Sequence, residues 1–264
     1  MINVKFLKVV LEVPTYNKSE YRIKEFICDW AFDNKIKVQG DKIGNLYLTK
    51  GVLSDGEYYP CVSAHLDTVF SNQAILAEKN IKKIIEINGD IIIGRDPLNN
   101  KRLGIGCDDL NGVFISLELM KKYDKIKAAF FVQEEYGCIG SRNADKDFFN
   151  DVAYYMQFDT PETGYTESLS SMQIYSDEFH ALTLPLLESH KENYFIKGPY
   201  TDALYIARNF DFASSCLSAG YYNWHRQDEY TKLSAVEYAI NLGKEFLDVL
   251  KMKKFIYTEK KEIY

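Results

Sequence analysis

Apolar strand-like runs alternate with amphipathic helical segments along most of this 264-residue chain, and this alternation limits its fold more than any other feature. The spacing of apolar residues predicts buried strands over residues 43–51, 58–64, 127–133, 152–158 and 212–218. Helical spacing covers residues 19–35, 111–123, 177–191, 201–210 and 234–254, and Pro185 is expected to kink or split the third helix. Such alternation predicts a three-layer α/β/α sandwich with a mostly parallel, mixed central sheet.

One β-hairpin interrupts the alternation. Residues 81–94 contain Asn88 and Gly89 between two apolar runs, a pair that favours a tight hairpin turn. The chain shows no internal repeat, low-complexity tract or Pro/Ser-rich linker. We therefore expect residues 1–264 to form a single catalytic domain.

Charge and cysteine content exclude several classes of protein. The net charge is −6 and the Lys and Arg residues are scattered, which argues against nucleic-acid binding. The N-terminal segment lacks an apolar signal region, and no run approaches the ~18 apolar residues of a membrane span. The five cysteines form no CxxC pair. We interpret them as reduced thiols in a cytoplasmic protein with no membrane partner.

Acidic and histidine residues follow the predicted buried strands. His65 and Asp67 come directly after the strand at 58–64, and Glu134 and Glu135 come after the strand at 127–133. Further candidates of this kind stand elsewhere: Asp159, His225 and the pair Asp108–Asp109 before the helix at 111–123. In open α/β sheets, ligands bind at the carboxyl ends of the strands. Five segments that deliver His or carboxylate to one edge suggest a metal site.

The types of ligand indicate which metal. Imidazoles and carboxylates without thiolates suit Zn²⁺, with Mn²⁺ or Co²⁺ as alternatives. Five groups exceed what one tetrahedral ion binds, but two ions ~3.5–4 Å apart and bridged by a carboxylate use them all. The five are His65, Asp108, Glu135, Asp159 and His225. One member of the Glu134–Glu135 pair can then bind a cation while the other acts as a general base.

Five short motifs carry a family resemblance. They are HLDTV (65–69), GCDDLNGV (106–113), QEEYGCIGS (133–141), FDTPE (158–162) and NWHRQDEY (223–230). In this order and at these spacings they resemble the motif series of the two-zinc exopeptidases, a superfamily that includes tripeptidase T, the glutamate carboxypeptidases and single-domain aminopeptidases. The similarity spreads over about residues 10–245.

The resemblance assigns metal-binding roles position by position. It implies that His65 and Asp159 bind one ion and that Glu135 and His225 bind the other. Asp108 would bridge the two ions.

It also implies roles for residues that bind no metal. Glu134 would act as the general base, and Asp67 would accept the N–H of the His65 ring and fix its tautomer. A cis peptide bond is expected between Asp108 and Asp109.

The chain departs from the lidded members of that superfamily in one region. Those relatives insert a lid or dimerisation domain between the ligands equivalent to Asp159 and His225, which here are only 66 residues apart. We therefore expect no lid. In the lidded relatives a histidine of the lid helps to hold the substrate carbonyl, and we expect Tyr221 or Tyr222 to take that role here. Residues 70–105 resemble the tripeptidase hairpin instead.

Several nearby residues have simpler structural interpretations. Asp109 is expected to cap the following helix, and Thr201–Asp202 can cap the helix at 201–210. Cys107 and Cys138 flank site residues and are expected to be packing groups rather than nucleophiles, because no histidine partners them in sequence.

The expected function is hydrolysis of a terminal amide bond of small peptides by a dinuclear zinc enzyme, most simply an aminopeptidase. Three alternatives remain open: a deacylase of N-acyl amino acids, a non-catalytic metal-binding module, and a mononuclear transferase of the glutaminyl cyclase type. A complete ligand set with a general base argues against a binding module, and the bridging Asp108 favours two metals. Homo-oligomers are compatible with this reading.

Overall fold

The computed structural model of the chain describes residues 2–166, 168–169, 172–190, 194–195 and 201–257. The helices are α1 (Val4–Glu12), α2 (Tyr21–Asp33), α3 (Asn72–Glu78), α4 (Cys107–Lys122), α5 (Ile139–Arg142), α6 (Lys146–Phe149), α7 (Asp177–Ser189), α8 (Asp202–Phe210) and α9 (Leu233–Leu250). The strands are β1 (Lys37–Gly40), β2 (Leu46–Lys50), β3 (Tyr59–His65), β4 (Ile84–Asn88), β5 (Ile91–Arg95), β6 (Arg102–Leu103), β7 (Ile126–Phe131), β8 (Val152–Thr160), β9 (Gly164–Tyr165), β10 (Ser168–Leu169), β11 (Met172–Gln173), β12 (Tyr194–Phe195), β13 (Ser214–Ser218), β14 (Tyr221–Tyr222) and β15 (Tyr230–Lys232).

The central sheet has the strand order β1-β2-β7-β3-β8-β13. The strands β7, β3, β8 and β13 run parallel, whereas β2 and β1 are antiparallel to their neighbours. The sheet is therefore mixed and mostly parallel, as the sequence predicts. The carboxyl ends of the four parallel strands lie at one edge of this sheet, and the polar residues that follow β3, β7 and β8 meet there.

Helices cover both faces of this sheet. Along β3 and β7 the even-numbered apolar residues pack with one set of helices and the odd-numbered ones with another, because successive side chains of a strand point to opposite faces. The first face packs against α1, α2, α4, α7 and α9, and the second packs against α6 and α8. This arrangement confirms the predicted three-layer α/β/α sandwich.

A second, antiparallel sheet lies beside the edge that bears the polar residues. Its strand order is β14-β15-β5-β4, and β6 pairs with β5. The predicted hairpin is confirmed, with Asn88 opposite Ile91 and Gly89 at a φ of +62° in the turn. Because β14 and β15 flank residues 223–229, this sheet fixes the segment that carries His225.

The helix α7 continues through Pro185, where the sequence predicts a kink or a split. Ser176 caps this helix by accepting the N–H of Phe179 at 3.3 Å, and Phe179 and Leu187 are buried in the core. Burial of the apolar face outweighs the hydrogen bond that proline cannot donate. Among the residues that the structure describes, no helix combines the length and the apolar character needed to cross a membrane.

Candidate active site

An acidic cleft of about 350 Å³ opens at the carboxyl edge of the parallel strands. It is lined by most of the residues that the sequence singles out together with several that it does not: Asp108, Glu134, Glu135, Gly137, Cys138, Asp159, Thr201, Tyr221, Trp224 and His225. His65 and Asp67 lie behind this lining, against Asp108 and Glu134 respectively, and are almost fully buried. The fold thus brings together residues from segments far apart in the chain.

Asp108 lies between two imidazoles. Its Oδ1 is 3.1 Å from Nε2 of His65, and its Oδ2 is 3.4 Å from Nε2 of His225. Each oxygen of one buried carboxylate therefore faces a different histidine. That is the arrangement required of a carboxylate that bridges two cations.

A second carboxylate accompanies each imidazole. Asp159 Oδ1 lies 3.6 Å from Nε2 of His65, and Glu135 Oε1 lies 2.9 Å from Nε2 of His225. Donor atoms of His65, Asp108 and Glu135 all lie within 4.8 Å of one another. The residues present fit a metal site in both chemistry and convergence, and the two imidazole–carboxylate pairs are the two pairs that the resemblance implies.

The electrostatics of the cleft reflect this contact between acids and imidazoles. Burial opposes ionisation of Asp108, but hydrogen bonds from His225 and His65 prevail and lower the pKa of Asp108 to about 2. Hydrogen bonds to Asp108 and Glu135 raise the pKa of His225 to about 10. Burial raises the pKa of Asp159 to about 6, against the opposing effect of His65. The carboxylates therefore attract and hold positive charge at this place.

Asp109 supports the site from the start of α4. The backbone of Asp108 and Asp109 departs from helical φ and ψ, so the regular part of α4 begins after them. Oδ1 of Asp109 accepts the N–H of Gly112 at 3.0 Å and caps that part of the helix, as predicted, and its Oδ2 accepts the N–H of His65 at 3.1 Å. The peptide bond between Asp108 and Asp109 is cis, also as predicted. One side chain thus connects the end of β3 to the start of α4.

Asp67 contacts both His65 and the two glutamates. Nδ1 of His65 lies 3.0 Å from the Asp67 carbonyl and 3.5 Å from the Asp67 carboxylate, so Asp67 faces this ring nitrogen as the resemblance implies. The carboxylate also accepts the backbone N–H groups of Glu134 at 2.8 Å and Glu135 at 3.2 Å, which the sequence did not predict. Asp67 therefore positions both glutamates.

Glu134 lies in the cleft without a histidine partner of the kind that Glu135 has. Burial raises its pKa well above the usual range, which favours a group that exchanges protons. The thiol of Cys138 donates to Oε1 of Glu134 at 3.3 Å. Cys138 is therefore part of the site, whereas the sequence suggested only a packing role. A thiol four residues after a glutamate gives no recognisable signal.

Sequence reasoning also missed Gln157. Its amide Nε2 donates to Oδ2 of Asp159 at 2.9 Å, and its Oε1 accepts the N–H of Ala203 at 2.7 Å. The fully buried Gln157 thereby joins Asp159 to the start of α8. Thr201 occupies the N-cap position of α8 without a side-chain capping bond, and it lines the cleft instead.

The two tyrosines proposed as substrate-binding groups differ in position. Tyr221 lines the cleft, and its hydroxyl lies 3.2 Å from the carbonyl of Asp159. The ring of Tyr222 instead stacks on Tyr230 with centroids 5.0 Å apart, outside the set of residues that line the cleft. Trp224, which is 45% exposed, forms part of the cleft wall.

Solved structures share this fold over nearly the whole chain. The aminopeptidase PepT of Bacillus cereus matches with a TM-score of 0.75 at 11% identity, over 94% of this chain and 97% of that one. A tripeptidase of Staphylococcus aureus matches with a TM-score of 0.72 at 11% identity, over the same shares of the two chains. The TET1 peptidase of Pyrococcus horikoshii matches with a TM-score of 0.67 at 18% identity, over 92% of this chain and 98% of that one.

Sequence comparison adds no family assignment, since neither family profiles nor curated proteins give a match. Structural likeness at such low identity shows the fold and leaves the reaction to be argued from the site. The topology and the structural neighbours agree: the chain has the fold of these aminopeptidase and tripeptidase structures.

Proposed function

We propose that this protein is a dinuclear zinc aminopeptidase of small peptides, formed by one catalytic domain. The observation that carries the proposal is the position of Asp108, whose two oxygens face two imidazoles that each have a carboxylate of their own. His65 and Asp159 would hold one ion, and Glu135 and His225 would hold the other. When bound, the two ions supply Lewis acidity to the scissile carbonyl and the attacking water.

Glu134 is the proposed general base. It lines the cleft beside the two imidazole–carboxylate pairs, and its elevated pKa suits a group that takes a proton from water and returns it to the leaving amine. The Cys138 thiol orients one of its oxygens. A module that only binds metal has no need of such a group, so Glu134 favours an enzyme.

The charge of the cleft favours a substrate with a free amino terminus. Among the described residues that line it, four are carboxylates and His225 is the only basic side chain. Two divalent ions would offset those four charges. The described lining contains no Arg or Lys side chain that could pair with the α-carboxylate of a substrate. N-acyl amino acids and carboxypeptidase substrates carry that group, whereas the scissile end of an aminopeptidase substrate does not.

Tyr221 and Trp224 form the proposed contacts with the substrate. The Tyr221 hydroxyl lies 3.3 Å from Oδ1 of Asp159. Trp224 packs edge-on against Tyr221, with ring centroids 6.3 Å apart. The tyrosine would help to polarise the scissile carbonyl. The exposed indole would pack against an apolar side chain of the peptide.

Metal stoichiometry tests the paired site. Zinc titration of chelator-treated protein should saturate at about two ions per chain, because five ligands exceed the needs of one Zn²⁺. Asp108→Ala should lose both ions. Saturation of the wild type at one ion would contradict the bridged pair, and parallel titrations with Mn²⁺ and Co²⁺ would rank the alternatives.

A matched pair of substrates and a matched pair of variants test the reaction. Hydrolysis of leucyl-p-nitroanilide should exceed that of its N-acetylated form, because the acetyl group removes the ammonium. Glu134→Gln should retain both ions and lose about 10²–10⁴-fold in kcat. Glu135→Gln should weaken metal binding. Preference for N-acyl amino acids would establish the deacylase alternative. A kcat of Glu134→Gln within about tenfold of the wild-type kcat would refute the role of Glu134 as general base.

Assembly and compartment complete the proposal. The TET1 peptidase of Pyrococcus horikoshii assembles into a tetrahedron or an octahedral shell, and we propose that this chain also forms homo-oligomers. Light scattering after gel filtration tests this point. All five cysteines are free thiols, which supports a cytoplasmic location.

A further inference from the structure

Glu229 contacts the backbone of the loop that leads to Asp108. Its Oε2 accepts the N–H groups of Gly106 at 2.5 Å and Cys107 at 3.3 Å, and its Oε1 accepts the N–H of Asp108 at 3.3 Å. The side chain is fully buried. One carboxylate therefore binds three consecutive peptide groups that end at the residue shared between the two imidazoles.

The carbonyl groups just before these peptides are held by two other buried side chains. Nζ of Lys83 donates to the carbonyl of Ile105 at 2.6 Å and to Oε1 of Gln73 at 2.9 Å. Nε2 of Gln73 donates to the carbonyl of Gly104 at 2.8 Å. Residues 104–108 are thus held by side chains from three distant segments. We call Gln73, Lys83 and Glu229 the loop cradle.

Lys83 and Glu229 are the ionisable members of the loop cradle, and they are 2% and 0% exposed. They hold complementary groups of the loop: Nζ of Lys83 donates to a backbone carbonyl, while the two oxygens of Glu229 accept backbone N–H groups. Three N–H donors around one carboxyl group suit its ionised form, in which both oxygens only accept. The last of these donors belongs to Asp108, so the carboxylate acts directly on the backbone of the site.

The loop cradle also joins the two sides of the cleft. Glu229 lies four residues after His225 on the segment between β14 and β15, so the residue that fixes Asp108 belongs to the same segment as its partner imidazole. On the other side, Gln73 Oε1 accepts the N–H of Thr15, whose hydroxyl donates to the carbonyl of Leu66, directly after His65.

We infer that Glu229 is a positioning residue for the metal pair: it sets the place of Asp108 relative to His225. This inference rests on the proposed function. Groups behind a metal ligand affect metal affinity because they hold the ligand in its binding orientation, and their loss typically weakens binding by about 10- to 100-fold. Since Asp108 faces both imidazoles, both zinc ions should be affected.

The test compares zinc affinities by competition with a chromogenic chelator. Glu229→Gln keeps the shape of the side chain but replaces one acceptor oxygen with an amide nitrogen that faces backbone N–H groups. We expect both zinc dissociation constants to rise about 10- to 100-fold in a variant that retains the wild-type circular dichroism spectrum. Glu86→Gln is the control for loss of a carboxylate away from the site. Glu86 lies on β4 and pairs with Arg95 at 2.8 Å rather than with residues 104–108, so its replacement should leave zinc affinity unchanged.

Glu229→Asp gives a second measurement if the glutamine variant does not fold. Aspartate keeps the charge but withdraws the carboxylate by one methylene. Zinc affinity should therefore fall, but by less than in Glu229→Gln. A folded variant at position 229 with wild-type affinity for both ions would overturn the inference. Failure of both variants to fold would make Glu229 a structural residue and would overturn it as well. Wild-type protein that binds no zinc pair would instead refute the proposed function.

Discussion

The thiol of Cys138 donates a hydrogen bond to Oε1 of Glu134 across 3.3 Å. Burial raises the pKa of this thiol far above its usual range, so it remains a donor at every working pH. We predict that Cys138→Ala lowers kcat several-fold, because a weak hydrogen bond to the general base is lost. Metal content should not change.

Cys138→Ser is the matched control for this experiment. Residue 138 has a φ of +56°, and serine and alanine bear the same backbone strain there, so the two variants differ mainly in the donor. Serine should keep kcat close to that of the wild type. Equal losses in both variants would show that the sulfur acts by packing alone.

The two backbone contacts of Asp67 predict a different kind of defect. Asp67→Asn places an NH₂ group against one of the N–H donors of Glu134 and Glu135. Both glutamates should then shift, so that zinc affinity and kcat each fall about 10- to 100-fold. Chelator competition and steady-state kinetics measure the two effects.

Asp41→Asn is the comparison for that variant. Asp41 also accepts backbone N–H groups, in its case the three of Ile43, Gly44 and Asn45, but it does not line the cleft. Its replacement should lower thermal stability and leave zinc affinity intact. Comparable loss of zinc affinity in both variants would contradict a specific role for Asp67.

The protonation of His225 predicts how the stability of chelator-treated protein varies with pH. Its folded pKa of about 10 lies above the value of about 6.5 for an unfolded histidine. The protonated ring therefore contributes stability that is complete below pH 6.5 and is lost as pH rises towards 10. The difference in Tm between wild type and His225→Gln should shrink over that interval. A difference that stays constant from pH 6 to pH 10 would contradict this assignment.

Close packing of α9 on β8 predicts a cost for adding one methyl group. A Cβ at Gly243 would lie 2.8 Å from Cζ of Phe158 and 3.0 Å from Cδ1 of Leu119. Overpacking costs about 1–3 kcal/mol, and the gain in helix propensity is about 1 kcal/mol. Gly243→Ala should therefore lower the free energy of unfolding by about 1 kcal/mol in urea denaturation. Asn241→Ala, on the exposed side of α9, should change it little.

The local sequence pattern was sufficient to predict the main strands and the order of the candidate ligands along the chain. The alternation of apolar runs predicted β3, β7, β8 and β13, and a polar residue directly after a buried strand must lie at its carboxyl end. His65 and Glu135 could therefore be assigned to one edge before any contact was known. The hairpin at Gly89 followed from a two-residue turn signal, which depends only on neighbouring residues.

The supporting contacts came only from the tertiary structure. Glu229 and Gly106 are 123 positions apart, and Asp67 and Glu134 are 67 apart. Nothing in the local sequence indicates that such residues meet. The hydrogen bonds from the backbone of Glu134 and Glu135 to the Asp67 carboxylate have the same origin, because they join the ends of two neighbouring strands.

The sequence by itself determined which chemical groups reach the cleft, because strand periodicity and the place where each strand ends are local properties. The tertiary structure alone decided how those groups are held, because buried carboxylates and amides must find hydrogen-bond partners wherever the folded chain supplies them. Cys138 and Glu229 lie within two of the five motifs and Gln157 directly precedes a third, but the motifs do not indicate which groups these side chains contact. They contact the site only because the packing of α5, α8 and the second sheet brings their partners within bonding distance.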